Sequence, residues 1–206
     1  MNSSYEFDSE SSKWYVPNEC LAQLHNFTIG SNIGAGAYGH IFEFCESKDA
    51  CNKIIKLVPL DSMPLSRFNR EAKITQMASD IGVSPRFDSA FTCPNVLSGS
   101  SAIPLGFIIQ DRWNITALDF FYETGRVSLP PGVKQRLKQK LERLHAAGIA
   151  HNDLHQGNVI LKTTRNERGQ LVLQDVALIY FDAAVLKGEP NFEQVVEADN
   201  IQLENI

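Results

Sequence analysis

Two polar residues of the segment HNDLHQGN, residues 151 to 158, have the types and the spacing that phosphoryl transfer requires. The reaction needs a carboxylate that accepts the proton of the attacking hydroxyl and an oxygen ligand that holds Mg²⁺ close by. Asp153 and Asn158 match these roles on a predicted tight loop, and Asp182, at the end of the predicted strand LIYFD, offers a further metal-binding carboxylate. Each could also be a turn former, a cap or a strand terminator, but their occurrence in this order favours a phosphotransfer site.

A glycine-rich stretch, NIGAGAYGHIFEF, places Gly34, Gly36 and Gly39 in a G-x-G-x-x-G pattern. In a dinucleotide-binding fold this pattern opens a helix, and in a P-loop it continues into G-K-[ST], whereas here a predicted strand follows. A glycine turn between two strands lets backbone N–H groups approach phosphates without a Cβ clash. Taken alone, the pattern would suit an ordinary hairpin turn equally well.

A lysine and a glutamate offer a cation and its partner. Lys56 lies in the apolar strand IIKLV, where a lysine is costly unless its ammonium meets an anion. Glu71 lies midway along the predicted helix PLSRFNREAKITQMASDIG and could supply that anion. The alternatives are an exposed strand-edge position for Lys56 and a solvated helix face for Glu71.

The elements that must position these residues follow from hydrophobic periodicity and from glycine and proline signals. Strands are predicted on both sides of the glycine turn and at NKIIKLV and GFIIQD, and helices at ITALDFFYETG and PPGVKQRLKQKLERLHAAG. NVILK and ALIYF are predicted to form a hairpin with a turn around NERGQ. Residues 1–13 are polar and are predicted to be a disordered tail. This order predicts an α+β fold with a β-rich N-terminal lobe, about 14–111, and a truncated helical C-terminal lobe, about 112–206.

Composition restricts the partners. The 206 residues carry a net charge of −5, so a nucleic-acid partner is not expected, and no apolar run is long enough to predict a membrane span. Five basic residues on the helix after Pro131 are expected to form a solvated face rather than an RNA patch: Lys134, Arg136, Lys138, Lys140 and Arg143.

The cysteines show no C-x-x-C spacing. Cys45 and Cys51 could pair, but reduced thiols in a cytoplasmic or nuclear protein are expected. No metal site is predicted on the cysteines, because no Cys/His cluster has ligand spacing.

Taken together, these motifs resemble those of the protein-kinase-like superfamily over roughly residues 28–186. IGAGAYGHIF resembles the glycine-rich loop, IIKLV the strand of the ATP-binding lysine, and REAKI the helix of its glutamate partner. HNDLHQGN resembles the catalytic loop, IYFDAA the metal-binding aspartate segment, and FIIQDRW the strand and hinge that receive adenine. The resemblance implies a kinase-like domain over 14–206 that binds ATP and Mg²⁺.

The same resemblance implies a role for each matching residue. Lys56 would hold the α- and β-phosphates, Glu71 would orient it, and Asp153 would be the base. Asn158 and Asp182 would bind Mg²⁺, and His155 would meet charge on the transferred phosphoryl group. The remaining candidates for nucleotide contact are the three loop glycines and the hinge residues, Gly34, Gly36, Gly39, Gln110, Asp111 and Trp113. Trp113 could instead pack between the lobes.

The departures from the family pattern affect regulation and substrate. Asn152 stands where protein kinases have the arginine that contacts a phosphorylated activation loop, and His155 stands where Ser/Thr kinases have lysine. DAA replaces DFG, and no A-P-E motif follows Asp182 before residue 206. With its short C-terminal lobe, the chain resembles compact atypical kinases: RIO-like proteins, the kinase of the universal tRNA-modification complex, and minimal kinases of large DNA viruses or bacterial effectors.

The expected activity is that of a protein Ser/Thr kinase that acts on a protein substrate, with a partner protein as a possible activator. Two alternatives stay open at this point. A small-molecule kinase is favoured by the D-L-H-x-G-N pattern, and a pseudokinase or partner-binding module is favoured by DAA.

Overall fold

The computed structural model describes residues 5–9, 12–17, 20, 22–24, 27–36, 38–47, 50–98 and 101–206. The fold is α+β, and the chain divides into two compact units. Unit 1 comprises the described residues of 1–72 and 87–112, and unit 2 comprises residues 73–86 and 113–206. Among the described residues, the helices are all too short or too polar to cross a lipid bilayer.

Unit 1 is built on a seven-stranded antiparallel sheet in the order β1-β2-β6-β7-β5-β4-β3. Its strands are β1 Tyr5–Ser9, β2 Ser12–Val16, β3 Thr28–Gly36, β4 Gly39–Cys45, β5 Lys53–Pro59, β6 Phe87–Ser98 and β7 Ser101–Asp111. The central strands β5 and β7 contribute apolar side chains that are almost fully buried, as expected for strands covered on both faces.

Helix α1, Leu65–Asp80, begins just after Pro64 and ends two residues before Gly82, whose φ is +69°. Its first half packs in unit 1, where Phe68 lies against Gly106 of β7. A Cβ at Gly106 would lie 2.4 Å from the Phe68 ring, so glycine at this position admits the helix. This contact fixes the helix that carries Glu71.

Unit 2 contains three more helices: α2 Ala117–Thr124, α3 Pro131–Ala146 and α4 Phe192–Glu204. The strands β8 Ile115–Thr116, β10 Val159–Arg165 and β11 Leu171–Leu178 form one sheet, and β9 Ile149–Ala150 pairs with β12 Val185–Leu186. The core joins the apolar stripe of α3 to residues from the other helices and from β10 and β11. The helices predicted within 115–125 and 130–148 are therefore confirmed, as is the turn around Gly169.

The chain differs from the sequence prediction at both ends. Residues 5–9 and 12–16 form a β-hairpin that pairs with β6, where a disordered tail was predicted; the rest of 1–11 lies outside the described residues. Strand β6 had not been predicted, because its sequence is polar. It forms because β7 pairs with it. Helix α4 had also been missed.

The strand predicted at ALIYF ends early. Strand β11 stops at Leu178, and Tyr180 has a φ of +64°, a left-handed conformation that an extended strand cannot contain. Asp182 therefore lies in a turn after the strand rather than at the strand end.

The expectation of four reduced thiols is wrong. Disulfides join Cys20 to Cys93 and Cys45 to Cys51, and no described cysteine is free. The first pair is 73 residues apart in sequence, and the pairing of β2 with β6 brings the two segments together. The cytoplasmic or nuclear location loses its support from the cysteines, because disulfides persist mainly in oxidising compartments; it stays a prediction.

The prediction of a solvated face for the basic residues of α3 is wrong at Lys140, which is buried within unit 2. Lys140 is buried, with its Nζ 3.0 Å from Asp175 Oδ2, and Arg143 donates to the Ile81 carbonyl at 3.3 Å. Burial lowers the pKa of Lys140, and the hydrogen bond to Asp175 opposes that shift. These contacts account for two of the five cations without a nucleic-acid partner.

Candidate active site

The predicted site residues divide between the two units. Unit 1 carries the glycine hairpin, Lys56, Glu71, Gln110 and Asp111. Unit 2 carries Trp113, Asp153, His155, Asn158 and Asp182.

The glycine hairpin is formed by β3 and β4, with Gly36 paired to Gly39 and Gly34 paired to Ile41. Gly39 is required by close backbone approach, since a Cβ there would lie 2.3 Å from the carbonyl oxygen of Leu57 on β5. Apart from its two chain neighbours, Gly36 has no heavy atom of a described residue within 4 Å of the position a Cβ would take. Packing against β5 therefore explains the glycine at position 39, whereas the space beside Gly36 is open.

This contrast gives a matched pair of substitutions. Gly39→Ala should lower the free energy of unfolding by about 1–3 kcal/mol, because the added methyl group collides with backbone. Gly36→Ala should be neutral or stabilise by up to about 1 kcal/mol, because it restricts the unfolded chain without a clash. Denaturant unfolding of both variants measures the difference, and equal midpoints would contradict the packing role of Gly39.

Lys56 and Glu71 form a buried ion pair between β5 and α1. Lys56 is 6% exposed and Glu71 is 2% exposed, so both charges are largely removed from water. Glu71 Oε2 is buried without a hydrogen-bond partner among the described residues. A buried ion pair contributes little to stability compared with apolar residues of similar size. The pairing excludes the exposed-edge and solvated-face alternatives for these two residues.

In unit 2, the loop that follows β9 brings Asp153 and Asn158 together. Asn158 Nδ2 donates to the Asp153 carbonyl and to Asp153 Oδ2, both at 2.8 Å. Asn158 is buried, whereas the Asp153 side chain is about half exposed at 52%. The amide therefore fixes one carboxylate oxygen of Asp153 while the side chain stays accessible to solvent.

His155 is oriented by the same loop. The backbone N–H of Gly157 donates to His155 Nδ1 at 3.0 Å, so the neutral ring carries its proton on Nε2. That Nε2 lies 3.7 Å from Asp153 Oδ2. The ring thus presents a hydrogen-bond donor beside the Asp153 carboxylate.

The segment that contains Asp182 is tied to this loop by three hydrogen bonds. Ile179 N donates to the Asn158 carbonyl at 3.0 Å, His151 Nε2 donates to the Ile179 carbonyl at 3.0 Å, and Asn152 Nδ2 donates to the Ala183 carbonyl at 3.0 Å. Asp182 is therefore held on a segment attached to the Asn158 loop.

Asp199, on α4, is a residue of the candidate site that sequence reasoning missed. Its carboxylate is fully buried and accepts from the backbone N–H groups of His151, at 2.7 Å, and Asn152, at 2.9 Å. His145 Nε2 lies 2.9 Å from the same carboxylate. Asn152 has a φ of +64°, and these bonds hold it in that strained conformation. Asp199 thus fixes the backbone from which Asp153 projects.

A signal for Asp199 was present in the sequence. Asp199 lies on the same helix stripe as Phe192 and Leu203, at spacings of seven and four residues. A carboxylate on an apolar stripe must be buried and must therefore find donors.

The hinge candidates have ordinary structural partners. Gln110 and Asp111 are the last residues of β7 and pair with Ile54 and Lys53 of β5. Lys140 Nζ lies 5.3 Å from the centroid of the Trp113 ring, a cation–π contact within unit 2. The proposed adenine contacts of these three residues stay predictions.

The buried ring of His151 makes stability depend on pH. Desolvation lowers the pKa of His151 below its ordinary 6.5. The unfolded chain then protonates this histidine first and binds more protons, so the free energy of unfolding falls as the pH drops below about 6.5, by up to about 1.4 kcal/mol per pH unit.

We expect His151→Gln to flatten this slope between about pH 7.5 and about pH 5.5, even if the variant is less stable throughout. The wild-type chain at the same two pH values provides the control. Denaturant titrations at both pH values make the comparison, and an unchanged slope in His151→Gln would contradict it.

Comparison with known proteins adds no family. No protein-family model matches this chain, and no curated protein matches it significantly in sequence. What the site does must therefore be argued from its own residues.

Proposed function

We propose that this chain is an ATP- and Mg²⁺-dependent phosphotransferase of the protein-kinase-like type, acting on Ser/Thr hydroxyls of a protein substrate. The observation that carries the proposal is the loop 151–158, in which Asn158 orients a half-exposed Asp153 and Asp199 fixes the backbone behind it. A carboxylate held in one orientation and open on one side is what a general base requires.

The base role follows from the hydrogen bonds of Asp153. Oδ2 accepts from Asn158, so Oδ1 is the oxygen that would accept the proton of the attacking hydroxyl. The His155 Nε2–H lies beside this carboxylate and would donate to an oxygen of the transferred phosphoryl group.

The Lys56–Glu71 pair supports the same proposal from unit 1. Two buried charges cost free energy that apolar side chains would not, and a site for an anionic ligand supplies a reason for them. Lys56 would contact the phosphates of ATP, and the glycines of the hairpin would allow its backbone to approach them.

The ligand types of Asn158 and Asp182 fit Mg²⁺. Asn158 and Asp182 offer amide and carboxylate oxygens, which Mg²⁺ prefers, and the hydrogen bonds between their two segments hold the residues on a common framework. Mg²⁺, when bound, neutralises charge on the phosphates.

The test is phosphotransfer from labelled ATP in the presence of Mg²⁺, to the chain itself and to a panel of proteins and metabolites. Lys56→Met should abolish transfer, whereas Lys73→Met, which removes an exposed lysine from α1, should leave it unchanged. Transfer to metabolites alone would redirect the proposal to a small-molecule kinase. Failure of the wild type to transfer phosphate with any divalent metal would overturn it.

A second candidate, a nucleotide-binding module without catalysis, is favoured by the segment after Asp182. Ala183 and Ala184 stand where the family pattern has Phe and Gly. Asn152 stands where that pattern has the arginine that contacts a phosphorylated loop, and its Nδ2 donates to the Ala183 carbonyl. A rise in melting temperature with Mg²⁺-ATP, without phosphate transfer, would favour this candidate. Such a module would act by binding a partner protein.

A further inference from the structure

Three potential metal ligands cluster where β4 passes into β5. Glu43 and Cys45 are two residues apart on β4, so their side chains lie on the same face of the sheet, and Cys51 lies just before β5. One ligand atom from each residue lies within 4.8 Å of the others. Among the described residues, this is the one group of three or more His, Cys, Asp or Glu side chains that meets so closely.

The surroundings of the cluster suit a bound cation. Arg112 Nη1 donates to Glu43 Oε1 at 2.6 Å. Glu43 Oε2 and Cys45 Sγ both border the space beside Gly30 of β3, at 3.2 and 3.3 Å from the position a Cβ would take. Glycine at position 30 therefore keeps open the space that these two ligand atoms face.

In the oxidised chain, Cys45 and Cys51 are joined to each other and cannot ligate as thiolates. A dithiol reductant would supply two electrons and two protons, giving two cysteine thiols and a cyclic disulfide of the reductant. Binding of a divalent cation would then release the two thiol protons.

We propose that, after reduction of the Cys45–Cys51 disulfide, Glu43, Cys45 and Cys51 bind a zinc-class divalent cation. Thiolate ligands select such metals over Mg²⁺ or Ca²⁺. A tetrahedral Zn²⁺, with Zn–S near 2.3 Å and Zn–O near 2.0–2.2 Å, keeps its ligand atoms roughly 3–4 Å apart. The two sulfur atoms, 2.03 Å apart in the disulfide, would therefore separate by about 2 Å on reduction and metal binding, whereas a ligand atom of Glu43 already lies within 4.8 Å of both. Water would take the fourth position.

The charges of the site also balance. Two thiolates and one carboxylate carry three negative charges, which the divalent cation and the guanidinium of Arg112 neutralise. Arg112 would act as the group that orients the ligating carboxylate, a role that such hydrogen bonds commonly have in metal sites.

The other cysteine pair lacks these features. No described His, Asp or Glu forms a ligand group with Cys20 and Cys93. The cation would cross-link the β4–β5 connection in a reducing compartment, where the disulfide does not persist. This site is separate from the residues of the proposed phosphotransfer reaction and does not depend on it.

The experiment uses Co²⁺ as the probe. The full chain is reduced with a dithiol, freed of reductant under anaerobic conditions and titrated with Co²⁺. We expect one equivalent to give thiolate charge-transfer and tetrahedral d–d absorption that Zn²⁺ then removes, and we expect no such absorption from the oxidised chain. Cys51→Ser should lose the charge-transfer band, and Arg112→Gln should weaken binding about 10- to 100-fold.

The double variant Cys20→Ser/Cys93→Ser is the matched control and should keep the spectrum. Persistence of the spectrum in Cys51→Ser, or its loss in the double control, would overturn the proposal. A measurement on the unaltered chain guards against misfolded variants: Zn²⁺ should protect Cys45 and Cys51 from alkylation in the reduced protein but leave Cys20 and Cys93 unprotected under conditions that expose them. Equal alkylation of all four with and without Zn²⁺ would also reject the site.

Discussion

Asp153→Asn should lower the rate of phosphotransfer by about 10²- to 10⁴-fold, the typical contribution of a positioned general base. The substitution keeps the size of the side chain and an oxygen that can accept from Asn158, but the amide cannot take the proton of the attacking hydroxyl. The fold should persist, because the side chain is half exposed and its role in packing is small. Initial rates with saturating Mg²⁺-ATP measure the effect.

The control for this substitution is Asp61→Asn, which changes an exposed aspartate in the turn after β5. It should keep the wild-type rate. A full rate in Asp153→Asn would show that Asp153 is not the base, even if the chain transfers phosphate. A residual rate within the expected range would reflect the remaining positioning and electrostatic contributions.

The second large effect concerns stability. Asp199→Ala should lower the free energy of unfolding by about 3–5 kcal/mol, the usual result of removing one partner from a buried charged network. Two backbone N–H groups would lose their acceptor: that of His151, which is buried, and that of Asn152, which is partly buried. His145 would lose the carboxylate beside its Nε2.

The matched control lies on the same helix. Glu197 is exposed on α4, so Glu197→Ala should change the free energy of unfolding by no more than about 0.5 kcal/mol. Chemical denaturation of both variants makes the comparison. If Asp199→Ala unfolded at the same denaturant concentration as Glu197→Ala, the hydrogen bonds of Asp199 would not hold the loop.

The sequence predicted best where a local pattern determined the structure. The apolar stripe of α3 and the left-handed Gly125 that ends α2 each act within a few residues, so the helices at 117–124 and 131–146 could be predicted. The proximity of Asp153 and Asn158 was also predictable, because five residues on a tight loop leave little freedom.

The sequence predicted least where distant segments decide the structure. Strand β6 forms because β7 pairs with it along most of its length, and the Cys20–Cys93 disulfide depends on a sheet neighbour that no spacing rule reveals. The end of β11 was placed too late, because the left-handed Tyr180 follows from tertiary contacts rather than from its own preference. Asp199 was missed because its meaning depends on two amides almost fifty residues earlier.

The position of Asp199 also has a consequence for protein synthesis. The ribosome makes the segment around Asp153 before it makes α4. In the nascent chain this loop therefore exists for a time without the Asp199 carboxylate that accepts its hydrogen bonds. Domains begin to fold during translation from the N-terminal side, and unit 1 could fold while this loop is still unformed. The chain therefore cannot acquire its proposed activity until α4 has left the exit tunnel, which delays any phosphotransfer beyond the synthesis of that helix.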